Sequence, residues 1–231
     1  VVSGPFATAP GRPAVVLVNP NTSAATTRTM TAIARRALAG TGLRVRGVTV
    51  SEGPPMLTDP AALRAAAPQV VTAARAAVAS GDCAAVIVAA FGDPGLDAVR
   101  ALPVPVVGIG AAALAEAAAA GRRFGIATTT PLLADALAAH VARQGLTPAY
   151  TGARFTAGDP QRLAARPDAL LAALTDAAHA CVARDGAEAV VIGGGPLGEA
   201  AEALRPRLPV PVVAPIPAAC RRVTELLTGA P

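Results

Sequence analysis

Residues Val86–Leu96 read V-I-V-A-A-F-G-D-P-G-L, and the fold turns on this stretch. The apolar run makes a buried strand, the Gly92-Asp93-Pro94-Gly95 cluster stops it, and a helical pattern follows. The unit returns as Val190–Leu197, V-V-I-G-G-G-P-L. Val86, Ile87, Val88, Ala89 and Ala90 map onto Val190, Val191, Ile192, Gly193 and Gly194 at a constant offset of 104. Farther on, Leu102–Val107 and Leu208–Val213 both read L-P-V-P-V-V, at an offset of 106. A hexapeptide shared downstream of a shared strand marks an internal duplication.

Outward from that stretch the chain alternates strands and helices. Ala14–Val18 is a first strand, ending in Asn19-Pro20-Asn21-Thr22-Ser23, with a helix over about 24–39. A strand over 43–50 leads through Thr58-Asp59-Pro60 into a helix over about 61–80. Past the opening stretch come a helix from Leu96 to about Leu102, a strand over 104–109 and a helix over 112–120. The second pass starts with Phe124–Ala127, ending in Thr128-Thr129-Thr130, and a helix to about Arg143. A strand near Phe155 precedes Gly158-Asp159-Pro160, a helix covers 167–185, Ala189–Ile192 is a strand, and 218–227 is a closing helix.

This order predicts right-handed βαβ units and parallel sheets covered on both faces. The expected fold class is α/β, with two pseudo-symmetric parallel-sheet halves over 13–110 and 111–217 and a cleft between them. A closing C-terminal segment over 218–231 and a loose N-terminal arm over 1–12 complete the division. Ligands of such sheets sit beyond the carboxyl ends of the strands. The expected site therefore gathers Asn19, Asn21, Thr22, Ser23, Ala90, Phe91, Gly92, Thr128, Thr129, Thr130, Gly193, Gly194 and Gly195. Glycine- and threonine-rich strand ends supply backbone N–H groups and hydroxyls, a cradle for a carboxylate or imide.

Composition narrows the chemistry. The chain has 231 residues, 53% hydrophobic and 15% charged, which is globular, with no run long enough for a membrane helix. The formal charge of +5 does not imply a nucleic-acid partner, because the arginines are scattered and aromatics make up 2% of the chain. All 20 basic residues are arginine, so a lysine Schiff base and a phosphate-loop lysine are excluded. No G-x-G-x-x-G stands in the right context for a dinucleotide. Cys83, Cys181 and Cys220 lack C-x-x-C spacing and read as small buried thiols; His140 and His179 read as ordinary helix residues, so no metal site is expected. The expectations are a cytoplasmic protein with no cofactor, a small-molecule substrate, no membrane partner and self-association through an alanine-rich surface.

Among polar residues, Asp93 leads as a candidate base, with helix capping before Pro94 as its simpler reading. Asp59 and Asp159, each before a proline, are turn residues or alternative bases. The glycines of Gly193-Gly194-Gly195 offer an oxyanion cradle.

At these residues the chain resembles the hydantoin racemase branch of the Asp/Glu racemase superfamily, from about Val15 to Leu227. The resemblance rests on V-L-V-N-P-N-T-S (16–23), T-x-x-M-T (27–31), E-G-P (52–54), F-G-D-P-G-L-D-A (91–98), V-V-G-I-G-A-A-A-L (106–114) and I-A-T-T-T (126–130). It implies two similar α/β halves with the site at their interface, and catalysis without metal or cofactor. Its relatives include amino-acid racemases, maleate isomerase and arylmalonate decarboxylase. Racemisation moves a proton off one face of a carbon beside a carbonyl and returns one to the other. The family uses one cysteine from each half, and the matching positions here are Ala90 and Gly194, the same two residues that the internal repeat pairs. With neither able to carry a proton, the two-thiol mechanism does not carry over. A divergent isomerase, lyase or cyclase using enolate-type chemistry is expected. The alternatives are a non-catalytic binding protein, or a hydantoin racemase using other bases.

Overall fold

A computed structural model describes residues 13–229. The loose arm expected over 1–12 lies outside the described residues. The first half contains β1 (Ala14–Asn19), α1 (Ala24–Ala37), β2 (Arg44–Thr49), α2 (Pro60–Ala79), β3 (Cys83–Val88), α3 (Leu96–Val99) and β4 (Val106–Gly108). After α4 (Ile109–Ala117) come β5 (Phe124–Thr128), α5 (Ala134–Arg143), β6 (Tyr150–Phe155), α6 (Pro160–Ala164), α7 (Pro167–Ala183), β7 (Ala189–Ile192), α8 (Gly198–Leu204) and β8 (Val212–Val213). The closing helix is α9 (Pro215–Thr228). The helix expected to reach Leu102 stops at Val99, and α9 starts three residues earlier than expected, since proline at N1 suits a helix start.

The two sheets run β2-β1-β3-β4 and β6-β5-β7-β8, and every pairing is parallel. The internal repeat thus appears as one strand order used twice. The central strands β1 and β7 are buried at every residue, and apolar except for Asn19 at the end of β1, as a sheet covered on both faces requires.

Two helices change sides. α4 follows β4 but buries Ala113, Leu114 and Ala117 with Phe124 and Ile126 of β5. α9 follows β8 but returns to the first half, placing Ile216, Ala219, Cys220 and Val223 among Leu17, Met30, Ile33 and Ile87. Each sheet is completed by a helix that issues from the other, and the two crossing helices pack on one another. The sequence division at 110/111 falls in the first turn of α4, and that at 217/218 in the first turn of α9.

Candidate functional site

The strand ends of both sheets meet at a cavity of about 130 Å³. Asn21, Ala90, Phe91, Gly92, Thr129, Thr130, Gly193, Gly194 and Gly195 all line it, so the duplicated loops come together as the repeat implies. Thr26, Met30, Met56, Leu57, Leu63, Leu133, Leu137, Leu170 and Leu197 supply most of the rest of a mainly apolar wall. Sequence reasoning missed these side chains. Met56 and Leu57 follow E-G-P-P in a loop without periodicity, and the other apolar ones read only as core. A larger open concavity of about 740 Å³ lies near Arg100, Glu116, Arg221, Arg222 and Glu225, but none of the expected site residues lines it.

Four expected contact residues hold the loops instead of facing the cavity. Asn19 is fully buried; its amide nitrogen donates to Asn21 Oδ1, the Ser23 carbonyl and Thr27 Oγ1, and its Oδ1 accepts from the Asn21 N–H. Its hydrogen-bonding capacity is spent on folding N-P-N-T-S. Ser23 caps α1 by accepting from Thr26 N, and Thr22 Oγ1 donates to the Gly53 carbonyl. Thr128 Oγ1 donates to the Gly193 carbonyl at 2.6 Å and ties the ends of β5 and β7 together.

The three carboxylates weighed as bases, Asp59, Asp93 and Asp159, also lie off the cavity lining, and Asp159 caps α6 by accepting from Arg162 N. Asp59 accepts from Ala62 N at 2.9 Å and caps α2. Asp93 is buried, and it caps a helix other than the one its sequence suggests. Gly95, at φ 75°, is the residue at the N-cap of α3, whereas the Asp93 carboxylate turns to α4, accepting from Gly110 N at 2.9 Å and Ala111 N at 2.6 Å. α4 has no other side-chain cap, so these are the N–H groups left unpaired at a helix start. Two glycines of V-V-G-I-G permit the approach. A Cβ on Gly108 would lie 2.3 Å from Asp93 Cγ, and one on Gly110 would lie 2.1 Å from the Phe91 carbonyl oxygen.

His140, read as an ordinary helix residue, is buried with its Nε2 3.2 Å from Asp93 Oδ2. No sequence signal linked the two, since they come from different halves.

The cysteines stand away from the cavity lining. Burial pushes Cys181 up to about 11 and Cys220 up to about 12, and raises Cys83 as well. A thiol so shifted is poorly ionised near neutrality. Several residues that line the cavity have backbone N–H groups without a partner. Among the described residues, the N–H groups of Ala90, Phe91, Gly92, Thr129 and Thr130 donate to no protein acceptor. Unspent N–H groups in an apolar enclosure suit a carbonyl or carboxylate oxygen. No cluster of three or more His, Cys, Asp and Glu able to hold a metal occurs among the described residues, and no described helix is long and apolar enough to cross a membrane.

Two duplicated parallel-sheet halves with exchanged covering helices and one cleft at their strand ends define a pseudo-symmetric α/β enzyme scaffold. The model of the family described as Asp/Glu/Hydantoin racemase matches residues 15–223. A hydantoin racemase from Paenarthrobacter aurescens is 30% identical over 214 residues, 92% of this chain and 90% of that one. An allantoin racemase from Klebsiella pneumoniae matches with a TM-score of 0.87 at 29% identity, covering 94% of this chain and 88% of that chain. An allantoin racemase from Pseudomonas fluorescens matches at 0.84 and 28% identity, covering 93% and 91% respectively. The chain belongs to the Asp/Glu/hydantoin racemase family and is an enzyme of that superfamily.

Proposed function

We propose that the protein stabilises an enolate or related carbanion of a small carbonyl compound in this cleft, without thiol acid–base groups. One observation carries the reading. Ala90 and Gly194, the paired loop residues of the two halves, line a cavity with no titratable side chain among its described lining residues. Proton transfer there falls to water or to the substrate's own groups, as in an isomerase, lyase or cyclase that needs no side-chain base. The free N–H groups along Ala90–Gly92 and at Thr129 and Thr130 receive the oxygen on which charge develops; fixed donors act strongly where water is excluded.

The substrate class follows from the wall. A cavity of about 130 Å³ is close to the ~150 Å³ that accommodates a benzene molecule, so it takes one small ring or an equivalent branched group. Met30, Leu63, Leu133 and Leu137 favour an apolar substituent beside the carbonyl. A hydantoin-type ring or a small carboxylate meets both demands, and the racemases it resembles are named for hydantoin and allantoin.

The test is incubation of 5-substituted hydantoins, allantoin and small substituted carboxylates in D2O, followed by NMR. Turnover or α-carbon deuteration is expected, changing by less than about twofold after iodoacetamide treatment, because no cysteine lines the cavity. Loss of turnover on alkylation would overturn the thiol-free reading. Ligand-induced thermal stabilisation with no conversion of any compound would overturn the catalytic one. Installing thiols by Ala90→Cys and Gly194→Cys should add α-carbon exchange. A Cβ at Gly194 would sit 2.7 Å from Leu197 Cδ1, so Leu197→Ala accompanies it.

A further inference from the structure

The F-G-D-P-G loop is built from the first half and anchored in the second. Its apolar anchor is Phe91, which joins the core of Leu114, Phe124 and Leu137 and lies close to Gly193, where a Cβ would sit 3.3 Å from Phe91 Cε1. Its polar anchor is Asp93, whose carboxylate holds the start of α4 and faces His140. The two side chains are 2% and 3% exposed. Asp93 follows Gly92, a lining residue; His140 stands one helical turn beyond Leu137, another lining residue, on α5. The pair therefore joins a wall given by the first half to a wall given by the second.

The arrangement specifies the state of the ring. Arg143 Nη2 lies 3.3 Å from His140 Nδ1, and a guanidinium can only donate, so Nδ1 accepts and the proton is assigned to Nε2, on the Asp93 side. Nε2 nevertheless has no properly aligned hydrogen bond. The imidazole is held against the carboxylate by packing, and a buried polar pair with incomplete bonding is a poor way to gain stability alone. The second half lacks the device. Leu197 stands at the repeat position of Asp93, and α9 opens with Pro215 and Pro217, which have no N–H to be capped.

We propose that Asp93 and His140 are a positioning pair that sets the spacing of the two cavity walls, Ala90–Gly92 on one side and Leu133–Leu137 on the other. The inference concerns the same cleft as the proposed function and needs none of its chemistry. Its test places a reporter thiol in the wall by Ala90→Cys, in a Cys83→Ser background, and follows alkylation by iodoacetamide across pH. His140→Ala and Asp93→Asn should each change the reporter's rate about tenfold, at a temperature where circular dichroism shows the variants folded. His140→Gln, whose amide can donate from a similar place, should return it to within about twofold of the parent. Nitrogen-15 NMR of the unsubstituted protein should find the His140 ring proton on Nε2, with Nδ1 as the acceptor.

An unchanged reporter rate in folded His140→Ala overturns the proposal, as does a His140→Gln variant behaving like His140→Ala, or a ring proton found on Nδ1. Alkylation uses no substrate, so failure here leaves the enolate reading intact, and an absence of turnover leaves the positioning pair intact.

Discussion

The cysteines show how burial, more than residue type, sets chemistry. Cys181 sits under β5, its thiol 3.6 Å from the Ile126 carbonyl, and Cys220 is wedged against α1. Their raised pKa values, about 11 and about 12, come chiefly from desolvation of the thiolate. Cys83 is raised for the same reason but is only part-buried, at the start of β3 beside Arg46 and Asp82. In native protein at pH 8, iodoacetamide should label Cys83 alone, and mass spectrometry should find Cys181 and Cys220 modified only after denaturation. Early labelling of Cys181 would contradict the packing of α7 on β5. The position of Asp93 was not legible at this scale. Asp-Pro reads as a cap for the helix that follows, and only the tertiary approach of Gly108 and Gly110 reveals that it caps α4.

Among elements, the turn after β3 depends on a backbone that few residues adopt. Asp93 has φ 49° and Gly95 φ 75°. A Cβ on Gly95 would lie 2.7 Å from the Ala67 carbonyl oxygen in α2. Gly121 has a similar φ of 74°, with nothing within 4 Å of its Cβ position. Gly121→Ala should therefore cost about 1–2 kcal/mol, the conformational penalty alone. Gly95→Ala should cost about 3 kcal/mol or more, because backbone must also move. Urea unfolding of the two variants separates these contributions. Equal costs would mean that α2 yields freely. Strands and their loops were legible because buried parallel strands leave apolar runs closed by glycine, proline and threonine, as at Val86–Gly95 and Phe124–Thr130. Nine of the expected contact residues reach the cavity for that reason. Asn19 and Thr128 do not, because loops of this kind need internal hydrogen bonds before they can offer any to a ligand.

For the whole molecule, the exchanged helices decide how stability is shared. An apolar face on α4 or α9 says that a helix is buried, without saying which sheet it covers, so the exchange could not be read from periodicity. It makes each core depend on the other half: Ile216 of α9 is 1% exposed in the first core, and Leu114 of α4 is fully buried in the second. Ile216→Ala should destabilise the protein by about 2–5 kcal/mol. The loss should appear equally in far-ultraviolet circular dichroism and in fluorescence of Tyr150, which lies in the second half and is the chain's only tyrosine. Non-coincident transitions would show that the halves unfold separately.

The same exchange bears on how the chain is made. Cys220 meets Ala34 across 186 residues of sequence. At a synthesis rate of ~5–20 residues per second, roughly 10–40 s separate the appearance of the two. Until α9 emerges, Leu17 and Ile87 of the first sheet and Met30 of α1 lack the helix that packs on them in the finished protein. Birth order and folding order are opposed: the half that leaves the ribosome first is completed last.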